Sequence, residues 1–147
     1  MRIVEILENK KQFLDLLLLA DEQEDMIDRY LDRGRMFALY DDDLKTICVV
    51  TDEGDGVCEI KNMATYEHAQ RRGYGRRMIE FVLAEYRSTH TYVDVGTGDS
   101  PLTVPFYEAC GFKLHRRIEN FFTDNYDHPM FECGVQLIDM VILRQSL

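Results

Sequence analysis

The chain is organised around residues 59–79, which read EIKNMATYEHAQRRGYGRRMI. Residues 57–65 have the length and apolar content of a β-strand, and a short connection follows them. Gly73 and Gly75 can adopt backbone angles that are closed to other residues, so a turn is predicted there. After this turn, apolar residues recur at helical spacing on one face, at Met78, Ile79, Val82, Leu83 and Tyr86. The sequence therefore predicts a strand, a glycine turn and a helix in succession.

The predicted turn has the properties of an anion-binding site. The first amides of a helix have no hydrogen-bond partner within it, and the helix dipole adds partial positive charge at this end. Glycines allow a phosphate or pyrophosphate to approach such amides closely. Four arginines crowd the same place in a chain of net charge −10: Arg71, Arg72, Arg76 and Arg77. An anionic ligand would account for this cluster, and the alternative is a solvated helix start with scattered arginines.

The motif at this turn distinguishes between families of phosphate-binding proteins. The dinucleotide fingerprint needs a third glycine where this chain has Met78, and the Gly-Lys-Ser/Thr of a P-loop is absent. The remaining pattern, Gln70-x-x-Gly73-x-Gly75, resembles the acyl-CoA-binding signature of the GCN5-related N-acetyltransferases, the GNAT superfamily. A second block, FYEACGF at residues 106–112, matches the same family at a fitting spacing. The resemblance covers residues 35–121 well and the rest of the chain loosely.

The resemblance implies that acetyl-CoA is the co-substrate and that the loop amides hold its pyrophosphate. It also implies that the fourth and fifth strands splay apart around the CoA arm, which pairs with backbone groups near Met63 and Thr65. The residues implied in cofactor binding are Met63, Ala64, Thr65, Gln70, Arg71, Arg72, Gly73, Tyr74, Gly75, Arg76, Ser100 and Tyr107. Relatives often carry an asparagine where this chain has Asp99-Ser100, so Asp99 places a negative charge near an anionic cofactor.

The resemblance also implies two catalytic residues. Acetyl transfer from a thioester requires the amine to lose a proton, and the leaving thiolate benefits from an acid. Glu59 is the candidate general base, acting directly or through a water molecule. Tyr107 is the candidate acid, because relatives place a tyrosine near the thioester sulfur. The alternatives are an ordinary strand glutamate and a core aromatic residue with one polar end.

These features lead to one main hypothesis for function. The chain is expected to be a cytoplasmic N-acetyltransferase, which transfers an acetyl group from acetyl-CoA to a primary amine of a small molecule or peptide by direct attack in a ternary complex. An alternative is a non-catalytic acyl-CoA-binding or regulatory module on the same fold, and a third is an unrelated nucleotide-binding protein. The sequence does not identify the acceptor, and it leaves a homodimer open.

Length and composition favour a single domain over residues 1–147, without a membrane or nucleic-acid partner. The chain is 46% hydrophobic but has no run of about 18 apolar residues and no signal-peptide pattern. Its acidic balance argues against a surface that neutralises nucleic-acid phosphates. The four cysteines and four histidines lack metal-ligand spacing, so no metal is expected and the cysteines are interpreted as small buried hydrophobes.

The hydrophobic patterns predict an α/β fold of α+β type: a central mixed, mostly antiparallel sheet with helices on both faces. This agrees with the acyl-CoA N-acyltransferase fold that the resemblance implies. Strands are predicted over residues 2–7, 35–40, 44–51, 57–65, 91–96, 112–121 and 134–143. Helices are predicted over residues 10–20, from a capping box at Asp21 to Gly34, over 75–89, and over 100–110 with Thr103 as an alternative start. Residues 122–133 are predicted to be a loop.

Overall fold

A central mixed sheet dominates the structure, a computed structural model that describes residues 1–147. The strands are β1 (Arg2–Ile6), β2 (Arg35–Asp41), β3 (Asp43–Gly54), β4 (Val57–Thr65), β5 (Tyr92–Gly98), β6 (Lys113–Ile118), β7 (Phe131–Glu132), β8 (Val135–Gln136) and β9 (Met140–Ser146). The helices are α1 (Leu14–Ala20), α2 (Glu24–Asp28), α3 (Tyr74–Tyr86), α4 (Val104–Ala109) and α5 (Phe121–Asn125), and 3₁₀ turns cover Lys10–Phe13 and Glu67–Ala69. Seven strands form the sheet in the order β1-β2-β3-β4-β5-β9-β6, while β7 and β8 form a separate hairpin.

β2, β3 and β4 form an antiparallel meander, as the turn-rich segments between them predict, and β1 pairs antiparallel with β2 at the edge of the sheet. β3 and β4 are joined by a tight turn at Asp55-Gly56, where both residues have positive φ, at 54° and 78°. This is the backbone geometry of a two-residue type I′ turn, which matches the natural twist of paired strands. The prediction of short hairpin connections in this half of the chain is therefore confirmed.

A bulge in β4 marks the place where the sheet opens. Ile60 and Asn62 face consecutive residues of β3, so Lys61 between them is an extra residue without a partner. On its other side β4 runs parallel to β5, and this pairing ends where Ile60 lies opposite Val95. Because a bulge bends its strand and increases its twist, β4 turns away from β5 beyond this point. The predicted splay of these two strands is confirmed.

α3 connects β4 to β5 and covers one face of the sheet. The residues that the helical spacing places inward are buried at Met78, Ile79, Val82 and Tyr86, while Leu83 is half-buried. The helix begins at Tyr74 and ends at Tyr86, three residues before the predicted end. No helix in the structure combines the length and the apolar character needed to span a bilayer.

Two apolar cores lie on opposite faces of the sheet. Phe37 and Leu39 of β2 belong to the core beneath α3, whereas Met36 and Ala38 belong to the core beneath α1 and α2. Because successive residues of a strand point to opposite faces, this alternation places the helices on both sides. The predicted arrangement of helices on both faces is confirmed.

The helical N-terminal region differs from the prediction in two ways. The predicted first helix is a 3₁₀ turn followed by α1, and α2 ends at Asp28 rather than near Gly34. The predicted capping box is wrong, because the residue that precedes α2 is Gln23 and no side chain caps this helix. The Asp21 carboxylate instead accepts hydrogen bonds from the hydroxyls of Tyr30 and Tyr126.

The C-terminal third also differs from the prediction. Residues 122–133 contain most of α5 and all of β7 instead of forming a loop, and the predicted strand at 134–143 is divided between β8 and β9. The cause is a third apolar cluster, in which buried Phe122, Met130 and Leu137 pack together and order the segment. Thr103 is the residue preceding α4, with Pro105 in its first turn, which confirms the alternative start of that helix.

We expect β5 and β9 to depend on an ion pair between Asp94 and Arg144. These residues lie directly opposite each other, and the guanidinium donates two hydrogen bonds, of 2.7 and 3.0 Å, to a carboxylate that is almost fully buried. Replacing Asp94 with Ala removes both charge-assisted hydrogen bonds and should lower the free energy of unfolding by about 2 kcal/mol, because the Arg144 side chain that remains is partly exposed to water.

Asp99 provides the matched control, because its ion pair with Arg117 lies at the surface. Asp99→Ala should cost less than about 1 kcal/mol. Urea denaturation of both variants measures the two costs, and equal costs would contradict the importance assigned to the buried pair.

Candidate functional site

The glycine loop, residues 70–76, presents a row of free backbone amides. The amides from Arg71 to Arg76 donate to no backbone or side-chain acceptor, and the first bond at this end of α3 runs from the Arg77 amide to the Gly73 carbonyl at 3.0 Å. Gly73 and Arg71 both have positive φ, at 88° and 61°. Consecutive amides left open at the positive end of a helix form a concave site for an anion.

The arginines around this loop have no carboxylate partner. None of the four guanidiniums predicted to bind an anion forms a salt bridge, although the chain contains 27 acidic residues. Arg72 lies over the ring of Tyr74, and Arg76 donates to the Ala109 carbonyl at 3.2 Å. Positive charge that the protein itself leaves unneutralised is available for an anionic ligand.

The loop adjoins a cavity of about 240 Å³, termed here the first cavity. It lies between β4 and β5 where their pairing has ended, and Lys61 to Thr65 line one side and Gly96 to Gly98 line the other. Of the residues predicted to bind the cofactor, it brings together Met63, Ala64, Thr65, Gln70 and Tyr107. A Cβ atom built on Gly75 would lie 3.8 Å from Met63 Cε, so the glycine loop reaches this cavity.

Tyr107 places a polar group among apolar residues at the first cavity. Its ring packs edge-on against Phe106 and Phe112 and is 7% exposed, while its hydroxyl has no hydrogen-bond partner in the protein. Burial raises the pKa of the Tyr107 hydroxyl well above its ordinary value. The hydroxyl is therefore protonated near neutral pH and can donate a hydrogen bond to a group in the cavity.

Ser100 and Asp99 lie outside the lining of the first cavity. The buried Ser100 hydroxyl donates to the Glu132 carboxylate at 2.5 Å, and it is Glu132 that lines the cavity. Asp99 forms a 2.9 Å ion pair with Arg117 at the surface. The negative charge expected to oppose an anionic cofactor is thus held by a cation of the protein.

Glu59 lines a different cavity, of about 310 Å³, termed here the second cavity. Its carboxylate is nearly buried and lies 2.8 Å from the Lys61 ammonium. Glu53 and Arg33 line the same cavity and form a second ion pair, at 3.0 Å. Glu59 is absent from the lining of the first cavity, so the structure does not bring it together with Tyr107 around one space.

Asp21 is the carboxylate that sequence reasoning missed, and it lines both cavities. Only 8% exposed, it accepts hydrogen bonds from the hydroxyls of Tyr30 and Tyr126 at 2.9 and 2.5 Å, and no cation contacts it. Desolvation raises the pKa of its carboxyl, and hydrogen bonds from the two phenols and from the Gln23 backbone amide oppose that rise. In the sequence, Asp21 is an acidic residue directly after an apolar helix. This position is typical of a residue that caps the next helix, so it did not indicate a functional carboxylate.

Comparison with known proteins identifies the family that shares this architecture. Residues 32–114 match the model of the acetyltransferase (GNAT) domain. The chain is 32% identical over 143 residues to the uncharacterized N-acetyltransferase YvbK of Bacillus subtilis (strain 168), covering 95% of this chain and 92% of that protein. No group of three or more His, Cys, Asp or Glu side chains is arranged to hold a metal ion.

Two crystal structures show the same fold. An acetyltransferase from Bacillus subtilis in complex with CoA has a TM-score of 0.91 at 32% identity, covering 99% of this chain and 98% of that one. A GNAT family acetyltransferase from Elizabethkingia anophelis with acetyl-CoA bound has a TM-score of 0.93 at 30% identity, covering 99% and 97%.

Proposed function

The chain belongs to the GNAT acetyltransferase family, and we propose that it transfers the acetyl group of acetyl-CoA to a primary amine of a small molecule or peptide by direct attack in a ternary complex. Residues 1–147 would form one domain that carries the whole site. The observation that supports this most strongly is the glycine loop, where six consecutive free amides adjoin four unpaired arginines beside a cavity.

The glycine loop fits the pyrophosphate of CoA. A pyrophosphate needs several hydrogen-bond donors and positive charge at one place, and residues 71–76 supply both. The two similar crystal structures contain CoA and acetyl-CoA, which is consistent with this assignment. We assign pyrophosphate binding to Arg71, Arg72, Gly73, Tyr74, Gly75 and Arg76.

The first cavity fits the acyl-bearing arm of the same ligand. Beyond Ile60, β4 is paired only on its β3 side, so the backbone of Met63 and Thr65 faces the cavity without a neighbouring strand. An amide-containing chain laid along this edge would extend the sheet. Gln70, whose side-chain amide donates to the Thr65 carbonyl at 3.1 Å, connects this edge to the glycine loop.

Tyr107 is our candidate for the acid that protonates the leaving thiolate. It is a neutral phenol without a hydrogen-bond partner beside the space proposed for the thioester. The carboxylates that line the two cavities closest to this space include Glu59, which the sequence predicts, and Asp21 and Glu132, which the structure adds. We consider Glu59 and Asp21 for the base, because Glu132 already accepts a hydrogen bond from the Ser100 hydroxyl. To act as the base, Glu59 would have to accept a proton from the second cavity while it forms an ion pair with Lys61.

The proposed function is tested by measuring release of free thiol from acetyl-CoA with a panel of primary amines and amino-terminal peptides. Acceptor-dependent release would support acetyl transfer. Tight binding of acetyl-CoA without release on any acceptor would instead favour a binding or regulatory module. Stabilisation by ATP but not by CoA in a thermal-shift assay would contradict both.

Replacing Gly73 with Val should weaken CoA binding by at least about tenfold, because an open amide row is needed for the pyrophosphate. A β-branched residue at a φ of 88° also strains the turn by about 1–3 kcal/mol. Calorimetric titration of the folded variant with CoA measures the effect.

Gly54 provides the control for backbone strain. It has nearly the same φ, 84°, and like Gly73 has no atom within 4 Å of an added Cβ, but it lies at the far end of β3. Gly54→Val should therefore lose similar stability and keep its CoA affinity. An unchanged dissociation constant in Gly73→Val would refute the assignment of the loop.

Replacing Tyr107 with Phe should lower kcat by about 100-fold while leaving CoA affinity almost unchanged, because only the proton donor is removed. Tyr86→Phe is the matched control, since Tyr86 is a buried tyrosine of α3 whose hydroxyl also has no hydrogen-bond partner. Steady-state kinetics of both variants measure the difference. Equal rates in Tyr107→Phe and the wild type would remove Tyr107 from the reaction.

A further inference from the structure

We propose that Asp21 and Asn62 form the binding site for the acceptor's ammonium group, and that Asp21 is the residue that accepts its proton. This inference rests on the proposed function and extends it to the chemical class of the acceptor, an amine that enters as a cation. The site would lie at the wall of the first cavity, which both residues line, and Asp21 also lines the second cavity.

The first support is the hydrogen-bond inventory of a buried polar cluster. Tyr30 donates its only proton to Asp21 and accepts a hydrogen bond from Asn62 Nδ2 at 3.1 Å. The second hydrogen of Asn62 Nδ2 goes to the Leu17 carbonyl at 3.0 Å. Asn62 Oδ1 is then left without any donor, although Asn62 is only 3% exposed.

The cluster therefore has more acceptors than donors. Two phenol hydroxyls and the Gln23 backbone amide donate to the Asp21 carboxylate, whose two oxygens can accept about four hydrogen bonds, and Asn62 Oδ1 receives none. Buried acceptors left unsatisfied cost free energy unless a ligand or water supplies the donor. An ammonium group brings three N–H donors and the positive charge that the carboxylate lacks.

The second support is position. Asp21 and Asn62 both line the first cavity, which Tyr107 and the free edge of β4 also line. An amine held there would share one space with the thioester proposed for that cavity. Glu59 lacks this placement, and its negative charge is already matched by Lys61 at 2.8 Å.

The proposed proton transfers balance. One N–H proton of the bound ammonium passes to Asp21, which leaves a lone pair on the nitrogen. That lone pair forms the C–N bond at the thioester carbon while the C–S bond breaks. Tyr107 gives its proton to the sulfur and regains one from the newly acylated nitrogen. Asp21 then releases the first proton to solvent, so the products are an amide, a free thiol and one proton.

Other charged groups around Asp21 bear on its titration. Tyr30 and Tyr126 contact it directly, and Asp25 of α2 adds negative charge. The charged residues that line the second cavity with it are Arg29, Arg33, Glu53, Glu59, Lys61 and Arg116, and Glu132 lines the first cavity. Desolvation is the main cause of the raised pKa of Asp21. Raising this pKa makes the carboxylate a stronger base that loses its function as the pH falls through that value.

The test compares Asp21→Asn with Glu59→Gln and with Glu22→Gln, an exposed control one residue along the chain. With the best acceptor of the amine panel, Asp21→Asn should lower kcat/KM by at least about 100-fold. The Glu22→Gln control should stay within about fivefold of the wild type, and Glu59→Gln should lose less activity than Asp21→Asn. A larger loss in Glu59→Gln than in Asp21→Asn would overturn the inference, as would an Asp21→Asn variant within about threefold of the wild type.

The pH profile separates a chemical role from a structural one. Residual activity of Asp21→Asn should rise steadily with pH, because this variant can use only amine that has lost its proton in solution. Tyr126→Phe removes one donor from Asp21 and should move the acid limb of kcat/KM to higher pH while the enzyme stays active. An acid limb that is unmoved in Tyr126→Phe would overturn the assignment of that limb to Asp21.

A binding measurement tests the inference without turnover. A negative result in this measurement can therefore be distinguished from a failure of the proposed function. In the presence of CoA, benzylamine should bind the wild type at least about tenfold more tightly than it binds Asp21→Asn. Benzyl alcohol, which lacks the charge, should bind both proteins equally. Equal binding of benzylamine to both proteins would overturn the inference, whereas absence of thiol release with every amine would overturn only the proposed function.

Discussion

The organisation of the site depends on the loss of strand pairing between β4 and β5 beyond Ile60. Up to that point the two strands form a continuous parallel ladder, and the bulge at Lys61 then bends β4 away. The opening leaves one edge of β4 without a neighbour and creates the first cavity between the strands. The two cavities share residues on both sides of this opening, including Lys61 and Gly96. A donor and an acceptor could therefore approach one another through a gap that the sheet itself provides.

Four arginines without a salt bridge lie together at the glycine-loop end of this gap, at residues 71, 72, 76 and 77. With a net charge of −10, most of the surface repels phosphate groups, whereas the arginines at the start of α3 remain unpaired. The free amides of the same turn add hydrogen-bond donors that point in fixed directions. A ligand would therefore have to match the geometry of these donors as well as the positive charge. Asp99, the acidic residue expected to oppose an anionic cofactor, is held by Arg117 and does not counteract this preference.

The fold was predictable from sequence where local patterns act alone. α3, its glycine turn and the β2–β3–β4 meander follow from helical spacing, glycine placement and short polar turns, and all are present. α5 was not predictable, because aspartate, asparagine and proline around it favour a loop and only tertiary packing of Phe122 orders it. Asp21 was missed for a similar reason: its partner Tyr126 lies 105 residues away, and no local pattern records that contact.

The polar cluster at Asp21 costs the folded protein free energy, and a purely structural role would not account for that cost. A carboxylate with no cation and an amide oxygen with no donor both lose solvation when they are buried, and the hydrogen bonds from two phenols and one backbone amide to Asp21 offset only part of that cost. Elsewhere in the chain the buried carboxylate of Asp94 is matched by two hydrogen bonds from Arg144. At Asp94, where the buried carboxylate serves only to join β5 to β9, the protein thus provides the matching cation. On our proposal the cation and the hydrogen-bond donors missing at Asp21 and Asn62 are supplied by the ammonium group of the acceptor when it binds.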